Sequence, residues 1–140
     1  MSATGTFQGA PFTASCDAST AGGQYAVASG ITVMSAYCYD SSNPAVPFAT
    51  VGYVGSAPGT TTTCGYTGGA ATAQVGTGAP SATDACATTG YSAFSLTVDT
   101  LEDVDGTHKH FAGSFAYTNP DGSTDVTGSF DVVASCTSGC

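Results

Sequence analysis

The chain has 140 residues with ten acidic side chains, one lysine, no arginine and a formal net charge of −9. That length suits one domain, whose single core buries roughly two thirds of the unfolded chain's surface. One basic side chain excludes a nucleic-acid binder, which needs several Lys or Arg to neutralise phosphates, and equally excludes a polybasic hold on anionic lipid; no apolar run approaches the roughly 18 residues of a membrane span.

Strand and turn patterns run throughout, no helical apolar period occurs, and nineteen glycines weigh against long helices. Residues 1–11 hold neither a basic start nor an apolar stretch, so they do not read as a signal peptide and Met1 reads as an initiator on a trimmed chain; residues 1–9 read as a flexible N-terminal arm. Strand candidates rich in Thr, Val and Tyr follow at 12–17, 24–33, 33–40, 48–54 and 60–67. Gly22-Gly23, Asn43-Pro44, Pro47 and Ala57-Pro58-Gly59 punctuate them. Residues 68–85 are small and weakly periodic and read as a long loop with room for one short strand.

From Phe94 onward the alternation is regular. Phe94, Leu96 and Val98 oppose Ser95, Thr97 and Asp99; Phe111, Gly113, Phe115 and Tyr117 repeat the pattern, as do Val126, Gly128, Phe130 and Val132. Turn-rich stretches at 102–106 and at Asn119-Pro120-Asp121-Gly122 separate the three runs, which predicts a three-stranded antiparallel meander. The expected fold is all-β: one domain over residues 1–140, an antiparallel β-sandwich or flattened barrel of about 7–8 short strands, stapled by disulfides.

The six cysteines are Cys16, Cys38, Cys64, Cys86, Cys136 and Cys140. An even count in a small Gly/Ser/Thr-rich chain reads as three disulfides formed in an oxidising compartment, hence a secreted or cell-surface protein. Zinc fits badly, because no Cys-x2-Cys pair exists and His108 and His110 stand far from most of the cysteines. Spacing suggests Cys16–Cys38 and Cys64–Cys86, each pair 22 residues apart, with Cys136–Cys140 closing a terminal loop. A rival pairing joins Cys16 to Cys136 if the first and last strands are neighbours, and spacing leaves both open.

The pattern Gly113-Ser114-Phe115-Ala116-Tyr117 followed by Gly128-Ser129-Phe130-Asp131-Val132 resembles the closing hairpins of a family of small secreted bacterial β-sandwich proteins and lipoproteins of unknown function. The likeness covers residues 94–132, and the segment at 7–15 is similar to that family's opening strand. The resemblance implies an all-β exported domain. It implies no activity, so no site residue is carried over from it.

Among groups that carry chemistry, Asp99, Glu102, Asp103 and Asp105 fall within seven residues and are followed by Gly106. Calcium takes six to eight oxygens, and closely spaced carboxylates on a tight turn supply several. The twelve-residue calcium-loop pattern is incomplete, since its last position counted from Asp103 is Ser114; a solvated turn accounts for the same residues on conformational grounds. His108 and His110, two apart on a strand, share a face and supply half of a transition-metal site that Glu102 or Asp105 would have to complete. No Gly-x-Ser-x-Gly elbow or His-Glu-x-x-His motif is present, the acids show no aromatic cleft, and an enzyme is not expected. Tyr37, Tyr39, Tyr53, Tyr66 and Tyr91 are candidates for a surface that binds through aromatic rings, or else half-buried strand residues.

Two functions follow. The first is an extracellular structural or interaction protein that assembles on a cell surface or in a filament through edge strands, with a second copy or another surface protein as partner; few lysines are present to blunt exposed strands, and the arm 1–9 could add a strand to a neighbour. The alternative is a small ion- or ligand-binding module, most concretely calcium at 99–105.

Overall fold

The computed structural model describes the chain except for residues 18–19, 41–42, 44, 66–67 and 78–92. The described residues form ten strands and no helix: β1 (Ser2–Phe7), β2 (Ala10–Ser15), β3 (Ala21–Ala28), β4 (Ile31–Cys38), β5 (Pro47–Val54), β6 (Gly59–Thr61), β7 (Ala71–Thr77), β8 (Ala93–Asp105), β9 (His108–Thr118) and β10 (Asp125–Ser138). They make one curled, half-barrel sheet in the order β6-β8-β9-β10-β3-β4-β5-β7, with β1 and β2 branching from β10. The all-β character is as expected, with ten described strands where about seven or eight were expected; they belong to one connected sheet, in which β10 pairs with β3 in parallel while every other pairing between these strands is antiparallel.

The predicted meander is present as β8-β9-β10, and its apolar positions line the concave face. Phe94, Leu96, Val98, Phe111, Phe115, Tyr117, Val126, Phe130 and Val132 are all buried in one cluster. Each such large side chain taken out of water stabilises the fold by about 1.5–3 kcal/mol. Pairing between the last two strands places Gly128 opposite Phe115 and Phe130 opposite Gly113. The two Gly-x-Phe motifs therefore interlock, each phenylalanine ring lying on the other strand's glycine. A methyl group on Gly128 would meet the Phe115 ring at 2.4 Å, and one on Gly113 would meet the Thr97 carbonyl oxygen at 2.0 Å and the Phe130 ring at 2.8 Å.

The segment 1–9, expected to be a free arm, contains a strand hydrogen-bonded on both edges: β1 pairs with β10 from Ser2↔Ser129 to Thr6↔Asp125, and with β2 from Ser2↔Ser15 to Phe7↔Ala10. Apolar periodicity could not reveal it, because Ala3 is its one buried side chain and backbone pairing holds the rest. Residues 68–85, read as a long loop with room for one short strand, contain the seven-residue β7, which buries Ala71, Ala73 and Val75 against the core. Of the candidate strand at 60–67, Thr60 and Thr61 belong to β6, Cys64 makes an isolated bridge to Ala71, and residues 66–67 lie outside the described residues.

Cys16 and Cys38 are bonded, with 5.3 Å between their Cα atoms, and so are Cys136 and Cys140, at 6.4 Å. These are the pairings that spacing suggested, and they rule out Cys16–Cys136. The expected Cys64–Cys86 bridge involves Cys86, which lies outside the described residues. Cys16–Cys38 fastens the end of β2 to the end of β4, and β2 also lies against β5. The β1-β2 branch is thereby tied across to the far half of the sheet. Closing a loop of that 22-residue separation stabilises the fold by about 3 kcal/mol in the chain-entropy account.

Gly113→Ala is expected to destabilise the protein by about 1–3 kcal/mol, since the methyl group forces the β8-β9 backbones apart. Urea unfolding followed by circular dichroism measures this, and an unchanged midpoint would mean that the two strands separate without cost.

Candidate functional site

Both bulges in β8 shape the site. In a regular strand successive side chains alternate between faces, and one extra residue reverses the alternation for everything beyond it. Register shifts between Val98 and Thr100, and again between Asp103 and Asp105. After the first, Leu101 instead of Thr100 faces Phe111 and packs on the core. After the second, Asp105 stands opposite His108, and β8 continues to Asp105 itself. The acidic stretch 99–105, expected to be a turn, is therefore the second half of a 13-residue strand. Apolar alternation breaks at Asp99 because of the bulge, although the strand does not end there. Only residues 106–107 connect β8 to β9.

On the facing strand, His108, Lys109 and His110 hold every basic side chain of the protein, and each is matched to a carboxylate. Asp105 accepts hydrogen bonds from the Thr107 backbone N–H at 2.7 Å and the Thr107 hydroxyl at 2.9 Å, and its carboxylate lies 2.9 Å from His108 Nδ1. Lys109 Nζ donates to Asp103 and stands 5.4 Å from the centre of the Tyr25 ring. His110 Nε2 lies 2.8 Å from Asp131 on β10, with Glu102 opposite it on β8. The imidazoles share the outer face, in line with the expected two-residue spacing. Lys109 lies on the other face with Phe111, at one end of the half-barrel, where it borders a cleft of about 360 Å³ with Tyr25, Val27, Asp103 and Cys140. Its side chain is 19% exposed, against 74% for Asp103.

The Asp105 carboxyl is held at about 2, below its ordinary 3.8, first by the Thr107 backbone N–H and then by His108. Asp121, in the β9-β10 turn, is likewise lowered, mainly by the Ser123 backbone N–H. Both act as turn-closing acceptors, which is the conformational role of Asp in turns.

The four proposed calcium ligands do not converge. Asp105 faces His108, Asp103 faces Lys109, Glu102 lies opposite His110, and Asp99 sits at the other bulge beside a polar cleft of about 480 Å³ bordered by Ser2, Ser129 and Asp131. A cation binding all four would have to displace Lys109 and His108. Among the described residues no three His, Cys, Asp or Glu side chains are grouped so as to hold a metal ion. The hydroxyl bonded to an imidazole is that of Thr107, 3.1 Å from His108 Nδ1, and Asp105 engages both groups.

Of the tyrosines singled out for a binding surface, Tyr53 is buried and donates its hydroxyl to the Ala57 carbonyl at 2.9 Å. Tyr37 and Tyr39 are half-buried, Tyr39 packing edge-on against Phe48, and Tyr66 and Tyr91 lie outside the described residues. Sequence reasoning used the scarcity of charge but not its location: β3, β4, β5 and β7 contain no Asp, Glu, Lys, Arg or His. Its signal was legible, since no charged residue occurs between Asp40 and Asp84.

Compared with known protein families, curated proteins and solved structures, the chain shows no match.

Two measurements probe this site. Because the folded state favours ionised Asp105, its contribution is complete above pH 3.8 and disappears as pH falls through about 2. The stability gap between the wild type and Asp105→Ala should therefore close over that window; urea midpoints at successive pH values read it, and a gap unchanged at the acid end would remove the carboxylate from the explanation. For calcium, a site saturated at a hundredfold over its Kd adds about 2.7 kcal/mol. Thermal melts in calcium and in chelator are expected to coincide, whereas a rise in midpoint that Glu102→Gln abolishes would establish a calcium site on this strand.

Proposed function

We propose that this chain is an extracellular structural or interaction subunit, a disulfide-stapled β-domain that assembles on a cell surface or in a filament through an edge of its sheet. The unequal character of the sheet's edges carries this reading. Beta-strand edges present unpaired N–H and C=O groups, and proteins commonly protect them with charges and bulges. The outer edge of β8 is protected in this way: β6 covers Leu96 to Val98, and beyond it come Asp99, Glu102, Asp103, Asp105 and both bulges. The β2 edge has no such protection. β2 pairs with β1 on one side, no other described strand pairs with it, and it carries no charge, with Pro11 as its one break in hydrogen-bonding capacity.

Supporting features agree with that reading. Cys16–Cys38 directly follows β2 and ties it to β4, so a strand added there would join a braced element. The disulfides fit an oxidising compartment. No helix among the described residues is long and apolar enough to cross a membrane. The likeness of residues 94–132 to small secreted bacterial β-domains points the same way.

Size-exclusion chromatography with light scattering on the oxidised protein tests the proposal. The expected result is species above the monomer whose mass rises with concentration, and a shift toward monomer in Thr13→Lys, which places a charge at an exposed position of β2. A strictly monomeric wild type at high concentration would overturn it.

A further inference from the structure

The outward face of β3-β4-β5 differs from the rest of the surface. Register aligns Gly22 with Tyr37 and Thr50, then Gln24 with Ser35 and Gly52, then Ala26 with Val33, whose partner on β5, Val54, is buried. No residue of these strands is charged. Asp17 and Asp40 lie beyond the strand ends at the side where Ala21 meets Cys38, the far end from Ile31 and Val33. At that far end Ile31 is 43% exposed and Val33 44%, two of the protein's few exposed large apolar side chains. Val33 and Ser35 form a ridge between two shallow depressions. One, of about 190 Å³, is bordered by Thr50, Gly52 and Thr72; the other, of about 160 Å³, is bordered by Gln24, Ala26 and Thr137.

We infer that this face is a two-fold contact between two copies of the chain. The inference rests on the assembly reading above and adds a second surface to it. Its first ground is charge. Each copy carries a net charge of −9, and seven of its ten acids fall between Asp99 and Asp131 on β8, β9, β10 and their connections. Two copies meeting by that half would bring carboxylates together and strip them of water, which is costly. Meeting by β3-β4-β5 buries no charge and puts the acidic halves on opposite outer sides, where separation beyond a Debye length of about 8 Å screens them. Its second ground is shape. A two-fold interface uses one patch on both partners, so the patch must complement itself. A ridge beside a depression does so: the two-fold seats each Val33 over the other copy's Gly52 depression, and the reverse. A neutral, weakly polar partner of another kind would meet the same ridge but would not be required to carry its complement.

The experiment compares wild type, Val33→Asp, Thr50→Glu and Thr13→Lys by sedimentation equilibrium of the oxidised chain at low and high salt, with thermal melts to confirm folding. Val33 is exposed and Thr50 lies on the same outward face, so both substitutions leave the core untouched. Expected are a wild-type dimer that tightens as salt screens net repulsion, and at least a tenfold weakening in both Val33→Asp and Thr50→Glu. Oligomers lost in Thr13→Lys but unchanged in the two face variants would overturn this inference and leave the edge proposal standing. The converse result would support the face and remove the edge. A wild type that is monomeric at every concentration would overturn both.

Discussion

The architecture depends on how β10 divides one hydrogen-bonding edge between two partners. Along its whole length from Asp125 to Ser135 one edge is taken by β9. On the other, Asp125 to Ser129 bond to β1, while Ser135 to Ser138 bond in parallel to β3, with an irregularity between Cys136 and Ser138. A strand edge satisfies one neighbour at a time, so the sheet forks. One branch carries the β1-β2 hairpin, and the other continues through β3, β4, β5 and β7. The fork lets the first fifteen residues and the next sixty both reach the same core. Ala3, Phe12 and Ala14 from one branch pack in the cluster that holds Met34, Val51 and Val75 from the other. The Cys16–Cys38 disulfide then joins the branches away from the fork.

Interlocked glycine and phenylalanine pairs make this fork possible. With Phe115 on Gly128 and Phe130 on Gly113, large rings cover both glycines, while Gly113 lets the Thr97 carbonyl of β8 approach β9 and Gly128 lets the Ser2 carbonyl of β1 approach β10. Covering a strand glycine with a cross-strand ring also compensates for the packing that glycine itself lacks. Phe111 and Phe130 extend the stack, their ring centres 4.6 Å apart. Strands so joined tolerate little change in volume, because well-packed interiors have few voids into which an added group can move.

Charge is distributed along the same division. The β8-β9-β10 half carries all the basic side chains and most of the acids, neighbouring strands matching Asp103 to Lys109, Asp105 to His108 and Asp131 to His110. Exposed pairs of this kind each add little to stability, and they join neighbouring strands at the end of a long hairpin. The strands β3, β4, β5 and β7 carry no charge, Asp40 lying in the connection between β4 and β5. The inferred two-fold contact depends on that asymmetry.

Several features were decided by residue order alone. All-β character followed from period-two alternation, abundant glycine and Asn-Pro-Asp-Gly, and the β8-β9-β10 meander followed from three alternating runs. These are local properties, set by side-chain chemistry within a few residues. Cysteine spacing suggested two of the disulfide pairings but left Cys16–Cys136 open, and the tertiary structure decided between them. Four others required the tertiary structure. The carboxylates at 99–105 belong to a strand because two bulges reverse its faces, and bulges leave no apolar signal. The 1–9 segment contains a strand because distant backbone edges, on β10 and β2, bond to it. The parallel β10-β3 pairing joins residues more than a hundred positions apart, and it produces a forked sheet. Which edge is charged and which face is neutral depends in turn on that topology. Hydrogen-bonding edges are the same for every residue type except proline, so sequence determines where strands can form, and the choice of partner for each edge is made only when the whole sheet closes over its core.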